Sequence, residues 1–453
     1  MKDKLINSFN KIKQDKNFFE VFSGSIISFS AKIIALLLGL LLSLIISKYY
    51  GARELGIYSL IVSFFSITLI LSMLGMNTSI LRFIPEEIAK YSLKSAYKLF
   101  FKLFNITIIS SLFISLIVYL FADSIAVQIF NKSYLYPVFL IASIFIVFQS
   151  LGILSISTIR ALKDIKLYSL FQIIMPLIQI LTLFIIISFF SYSEFDSVYS
   201  LMFSYFIVFF ISLYYVLKLF NKKEPDGKLS NLSTKSVIFT SLPMMLSTAM
   251  SLIILQTDIL MLGAMVEAEQ VGIYAIIVKL ATLTIFLLTS VNVVIAPKIS
   301  ELFYSGKIIE LKKLLLKTTS LISIFTLPIV LILIFFGKEI LEIFGKEFTI
   351  GYSALIILLI GQIINILAGP VEFFLNMTGH QKNLNYIVIT SAIINIILNF
   401  ILIPKYGFMG AAFASMVSLS LSKIISLIYI NKIFGFYIGI NPIFFLKGKI
   451  NND

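Results

Sequence analysis

The sequence has no cysteine and a single histidine, His380, among 453 residues. Without thiols there is no disulfide framework, no thiolate metal centre and no cysteine nucleophile. One histidine argues against a histidine-based zinc site or catalytic triad. No metal, no cofactor and no nucleotide-binding phosphate loop are implied. Charge is also scarce: 13% of residues are charged, against about 25% in soluble domains. That scarcity excludes an ordinary soluble globule.

Apolar residues fill the space. They make up 59% of the chain, and the mean hydropathy is +1.03. A spanning helix needs about 20 apolar residues. Twelve such runs lie near 22–47, 57–81, 103–122, 136–159, 168–190, 197–217, 237–263, 272–296, 314–336, 350–376, 384–403 and 408–431. Runs of this length with almost no charge are helices, because lipid offers no partner to an unpaired backbone group. The first 20 residues are basic and partly amphipathic, like the start of a signal peptide. The long apolar run after them lacks a small-residue cleavage site and reads as a retained first span.

The loops give an orientation. With the N-terminus inside, 27 of the 36 lysines and arginines fall in inner segments, six in outer loops and three within spans. That bias is the positive-inside pattern. It accounts for the net charge of +14 as attraction to anionic inner-leaflet lipid, and a nucleic-acid partner is not expected. No loop is long enough for a soluble domain. The expected organisation is a six-helix lobe at 1–217 with a basic cytoplasmic N-terminus, a cytoplasmic linker at 218–236, a second six-helix lobe at 237–431 and a cytoplasmic tail at 432–453.

The halves echo each other. GIYSLIVSFFSIT, from Gly56, returns as GIYAIIVKLATLT, from Gly272, 216 residues later. At the same offset Thr68 falls on Thr284, Arg82 on Lys298 and Lys166 on Lys382. Six helices per half put both halves in the same orientation, a parallel repeat about an axis along the membrane normal. The fold class expected is therefore all-α integral membrane, with twelve helices in two six-helix bundles.

Ionisable groups at membrane depth are costly and point to a pathway or a binding site. Lys32 lies a third of the way into span 1, and its stem would let the ammonium snorkel inward. Asp258 lies near the outer end of span 7, where it faces a cavity or forms a structural ion pair with Lys279 of span 8. Glu372 follows a Gly369-Pro370 break in span 10, a hinge beside a titrating carboxyl. Lys423, near the inner end of span 12, reads as snorkelling. Gln149, Gln172, Gln179, Gln256, Asn292, Gln362, Asn365, Asn395 and Asn399 also lie within spans. Most are expected to join helices; Gln256 and Asn292 are candidates for sugar hydroxyls. Arg82 and Lys298, at inner span ends, read as topology signals or mouth residues. Pro176, Pro243, Pro297, Pro328 and Pro370 would bend helices. Glu194/Asp196 and Glu267/Glu269 read as solvated acidic turns.

Several stretches carry a resemblance. They are Gly24 through Lys32 to Ser47 followed by YYGARELGIYSL; LGMNTSILRFIPE from Leu74; TDILMLGAM followed by VGIYAIIVK; and LNFILIPKYGFMGAAFAS from Leu398. In this order and spacing the chain resembles the multidrug/oligosaccharidyl-lipid/polysaccharide exporter superfamily, and within it the polysaccharide-transporter branch, the Wzx-type flippases of O-antigen and capsule synthesis. It stops soon after span 12, whereas lipid II flippases carry two further helices. The resemblance implies a non-enzymatic cell-membrane protein. Such a protein moves a polyprenyl-(pyro)phosphate-linked oligosaccharide from the cytoplasmic to the outer leaflet by alternating access. Lys32 and Lys279 would meet the pyrophosphate. Asp258 or Glu372 would couple to H+ or Na+, and a polysaccharide polymerase would be a partner.

Two alternatives stand beside it. An ion-coupled multidrug cation exporter of the same superfamily would want a net acidic cavity, whereas the in-span charges are three lysines against two acids. A membrane polymerase or glycosyltransferase would want a larger outer loop or paired carboxylates.

Overall fold

The computed structural model describes residues 16–189, 193–221, 234–436 and 438–439. Side chains are described from Ile27 onward, apart from positions within 243–255 and 287–297. Residues 1–15 of the basic N-terminus, 222–233 of the expected linker and 440–453 of the expected tail lie outside the described residues. Every long element is a helix, and there is no strand among the described residues. Nine helical segments there are long and apolar enough to cross a membrane.

Several expected spans are interrupted. Helix α1 (Lys16–Met73) is two helices joined at Gly51, where φ is 80°. The run expected as one span at 57–81 breaks at Leu74-Gly75, both at positive φ, and α2 (Met76–Lys90) begins beyond it. The helices α3 (Leu93–Leu120), α4 (Tyr136–Ala161), α5 (Ile165–Phe189) and α6 (Asp196–Asn221) follow, then α7 (Thr234–Met265). The run at 272–296 is also divided: α8 (Ala268–Leu283) gives way at Thr284-Ile285 to α9 (Phe286–Tyr304). After α10 (Ile308–Phe335) and the short α11 (Gly337–Phe344), the expected Gly369-Pro370 break separates α12 (Tyr352–Ala368) from α13 (Val371–Met377). The last two helices are α14 (Gln381–Tyr406) and α15 (Phe408–Phe434).

The chain divides into two compact units. The first takes the chain to Ile46 with Ile61–Ile253; the second takes Ser47–Leu60 with the chain from Ile254. The first unit packs Ile80 and Phe83 of α2, Leu99 and Phe100 of α3, Leu154 of α4, Phe171 of α5 and Phe220 of α6 into one core. Phenylalanine dominates because edge-to-face rings fill wide gaps between helices, as at Phe148–Phe206, 4.9 Å between centroids. The outer faces stay apolar: Phe113 is 63% exposed and Leu120 66%. In water such a surface would aggregate; in lipid it is solvated.

The second unit brings the two copies of the sequence echo into contact. Gly56 and Gly272 pack backbone to backbone. A Cβ on Gly56 would fall 1.7 Å from the Ala268 carbonyl oxygen, and one on Gly272 would fall 2.0 Å from that of Ala52. The contact is reciprocal, Ala52-x-x-x-Gly56 against Ala268-x-x-x-Gly272. In lipid, where apolar burial drives little association, small residues let backbones approach and dispersion do the holding. The echo also repeats a local device. Thr68 donates to the Phe65 carbonyl and Thr284 to the Ala281 carbonyl, each three residues back and each buried.

The crossing predicts a selective sensitivity. Gly56→Ala or Gly272→Ala should lower stability by about 1–3 kcal/mol through overpacking, read as thermal unfolding of the purified protein in detergent. Gly39→Ala, whose Cβ would meet nothing within 4 Å, should be neutral or slightly stabilising.

Candidate functional site

The site is assembled in the second unit by a tight helical hairpin. Between α14 and α15 stands Gly407, at φ 56°, and a Cβ there would fall 2.1 Å from Gln270 Oε1. The turn therefore favours glycine for its backbone conformation, while a side chain there would only displace the flexible end of Gln270. Above it, Asn395 and Asn399 lie four residues apart on one face of α14, and Ser415 and Ser418 lie three apart on α15. The two pairs face each other: Asn395 Nδ2 lies 3.4 Å from the hydroxyl oxygens of both Ser415 and Ser418.

Asp258 enters this polar cluster from α7. Its side chain is buried, and three neutral groups donate to its carboxylate. Asn399 Nδ2 donates to Oδ1 at 2.7 Å, Tyr274 OH to Oδ2 at 2.6 Å, and the Ser415 hydroxyl also to Oδ2. Asn399 Nδ2 is shared with Asn395 Oδ1 at 3.1 Å, while Asn399 Oδ1 is buried and accepts no hydrogen bond among the described residues. Tyr274 is held in place by the glycine crossing two residues before it and is fully buried.

The chemistry open to this cluster follows from its atoms. A carboxylate, amide oxygens and hydroxyls are hard ligands, suited to a proton or a small monovalent cation and unsuited to soft metals. No group of three or more His, Cys, Asp or Glu side chains capable of holding a metal occurs among the described residues. The expected alternative of an Asp258–Lys279 ion pair is not what the structure holds: the partners of Asp258 are Asn399, Tyr274 and Ser415. Tyrosine and serine donors went unread in the sequence because each is ordinary in an apolar helix. The i,i+4 asparagine pair is the visible signal, but in the sequence alone it is indistinguishable from amides that join helices.

A second ionisable pair sits in the same unit. Glu372, on α13 just beyond the Gly369-Pro370 break, accepts a hydrogen bond from Lys423 of α15. The lysine side chain is 7% exposed and the glutamate 40%. Lys423 therefore does not snorkel, because a carboxylate within reach offers its ammonium a nearer partner than the interface. The remaining candidates are scattered. Lys32 is exposed on α1; Lys279, on α8, and Gln256, on α7, are half-buried. Asn292 lies in α9, with its side chain outside the described residues. Arg82 is exposed, 3.6 Å from Glu86, which also pairs with Lys90 at 2.6 Å. Lys298 is exposed and pairs with Glu301 at 2.7 Å. Such surface pairs contribute little stability. The Lys90 ammonium holds the Glu86 carboxyl below its ordinary value. Asp196 differs from the solvated turn expected of it: it is buried and accepts the Ser193 N–H at 3.2 Å, while Glu194, Glu267 and Glu269 are exposed.

An all-helical chain with apolar outer faces and a buried polar cluster is a multi-pass membrane protein. A family model described as "Polysaccharide biosynthesis protein" matches residues 21–303, well over half the chain, and the chain belongs to that family. A second model, MatE, matches residues 243–401. Among relatives, "Probable flippase AglR" of Haloferax volcanii is 27% identical over 175 residues, 37% of this chain and 36% of the relative. "Probable low-salt glycan biosynthesis flippase Agl15" of the same organism is 26% identical, over 38% of this chain and 37% of the relative. The matches thus span little more than a third of either protein. "Capsular polysaccharide biosynthesis protein CapF" of Staphylococcus aureus is 26% identical over 72% of this chain and 78% of the relative. In fold the chain is similar to lipid II flippase MurJ in an inward closed conformation (TM-score 0.72, 18% identity, 90% of this chain and 87% of that one). It is also similar to an inward-facing multidrug resistance MATE family transporter (TM-score 0.69, 12% identity, 89% and 97%).

Two substitution series test the cluster and the pair. Asp258→Ala orphans three donors and should cost about 2–4 kcal/mol of stability, whereas Asp258→Asn, which keeps an acceptor, should cost clearly less; thermal unfolding in detergent reads both. Glu372→Gln alone should destabilise more than the double change Glu372→Gln/Lys423→Met, because it leaves the buried Lys423 ammonium without its charge partner.

Proposed function

We propose that the chain is a flippase that carries a polyprenyl-(pyro)phosphate-linked oligosaccharide from the cytoplasmic to the outer leaflet of the cell membrane, for O-antigen, capsule or exopolysaccharide synthesis. Membership of the polysaccharide biosynthesis family over residues 21–303 is the observation that carries this reading, and the extended similarity to CapF supports it. The residues are compatible with such a cargo. A pyrophosphate cannot cross hydrocarbon without cations, and Lys32 and Lys279 are cations at membrane depth. The lipid tail stays in the bilayer throughout.

The topology proposed is twelve spans in two six-helix lobes joined by the linker at 218–236, with both termini cytoplasmic. The Gly51 break, the 32-residue α7 and the divided α8–α9 run supply helices for the spans beyond the nine. Transport by alternating access fits a parallel repeat. Asp258 is the coupling carboxylate of this reading, taking H+ or Na+ among Asn395, Asn399 and Ser415. Glu372, just beyond a helix break, and its partner Lys423 are the candidate hinge pair. A second reading, an ion-coupled multidrug cation exporter, draws on the MatE match and the MATE-like fold; there Asp258 and Glu372 would meet the substrate.

Purified protein in liposomes distinguishes the two. A pyrophosphate-linked polyprenyl oligosaccharide placed in one leaflet should become accessible to a sugar-cleaving enzyme on the other side only when the protein is present. Lys279→Ala should slow this about ten- to a hundredfold, the worth of one charge-assisted hydrogen bond, without loss of folded protein. Asp258→Asn should remove any dependence on a sodium or proton gradient. No exposure of the lipid, with gradient-driven efflux of an organic cation instead, would replace the flippase reading by the exporter.

A further inference from the structure

The start of α5 and the end of α6 lie side by side in the first unit and enclose a groove of about 460 Å3. Its lining is Asp164, Lys166, Leu167, Leu170, Tyr215, Lys218 and Leu219. The chemistry is of two kinds in one place. Lys166 and Lys218, one from each helix, are exposed at its rim. Leu167, Leu170 and Leu219 give it an apolar wall, and Leu170 is 46% exposed.

The lone acid does not cancel the lysines. Asp164 is committed to the backbone, accepting the Leu167 N–H at 3.0 Å, and it forms no ion pair with either lysine. Lys218 instead stands 5.8 Å from the Tyr214 ring centroid. Tyr215 meets Phe171 edge-on, at 6.1 Å, and Tyr214, at 5.5 Å, and its ring forms part of the wall. Two cations and one acid leave the groove net positive.

We propose that this groove binds an anionic glycerophospholipid, with the phosphodiester between Lys166 and Lys218 and the first acyl carbons along Leu167, Leu170 and Leu219. A free anion would use the lysines but not the leucines, and a zwitterionic lipid would bring its own cation to the rim. Basic pockets between spanning helices take acidic headgroups for this reason. In the proposed topology these helix ends face the cytoplasm, which makes the ligand an inner-leaflet lipid; the binding itself does not depend on what the protein transports. The groove would then anchor the first unit to the leaflet by a lipid that is not cargo.

The test uses the full chain in detergent, stripped of lipid, with bound lipid counted by native mass spectrometry. Phosphatidylglycerol should be retained in preference to phosphatidylcholine. Lys166→Gln/Lys218→Gln should weaken that retention about thirtyfold, while Lys166→Arg/Lys218→Arg should preserve it. Thermal unfolding without lipid should match in all three proteins, which separates lost binding from lost folding. Equal retention of phosphatidylglycerol by the glutamine variant would overturn the assignment. So would displacement of the lipid by inorganic phosphate at similar concentration, which would mark a simple anion site. Preferential displacement by polyprenyl pyrophosphate would overturn it too, by marking a cargo site. Because no transport is measured, failure here leaves the flippase reading standing, and failure of flipping leaves this one.

Discussion

The second unit depends on one close approach, the crossing of Gly56 and Gly272. Each glycine occupies space that any side chain would take from the facing carbonyl. The crossing sets the position of α8, and α8 carries Tyr274 two residues further on. Tyr274 in turn delivers its hydroxyl to Asp258. A backbone contact with no polar side chain in it thus determines where a buried carboxylate finds one of its three donors. The two participating segments are the stretches that echo each other in the sequence, GIYSLIVS from Gly56 and GIYAIIVK from Gly272.

The solvent explains the distribution of polar groups. Lipid accepts apolar surface without penalty, and the protein leaves Phe113, Leu120 and many others facing outward. It offers nothing to a polar group, so Asp258 gathers tyrosine, asparagine and serine, and Lys423 gathers Glu372. These clusters are local and fully within one unit. The ion pair also lies beside a place where a helix yields, Glu372 coming just after the Gly369-Pro370 break.

The class of the protein was legible because hydropathy and charge bias are properties of the chain alone. An apolar run of about 20 residues has few structural options in lipid, so long helices followed directly. The Gly369-Pro370 break was legible for the same reason, since proline cannot continue the hydrogen-bond ladder. The breaks at Leu74-Gly75 and Thr284-Ile285 were not, because glycine and threonine are tolerated inside membrane helices and carry no local signal that separates a break from continuous helix. Asp258, Glu372 and Lys423 stood out as charges in apolar surroundings. Their partners did not: a hydrogen bond between residues 141 apart, such as Asn399 to Asp258, has no sequence signal in a single chain.

Composition and pattern by themselves determined that this is a multi-pass helical membrane protein with few, costly ionisable groups at depth, because solvation by lipid constrains each segment independently of the others. Only the tertiary structure decided what those groups do with one another. It gave Asp258 three neutral donors in place of a lysine, drew Lys423 inward to Glu372, buried Asp196 and brought Gly56 against Gly272. Each of these is a choice among partners that local sequence permits equally. The choice is made by which helix faces pack, and packing is a property of the assembled bundle.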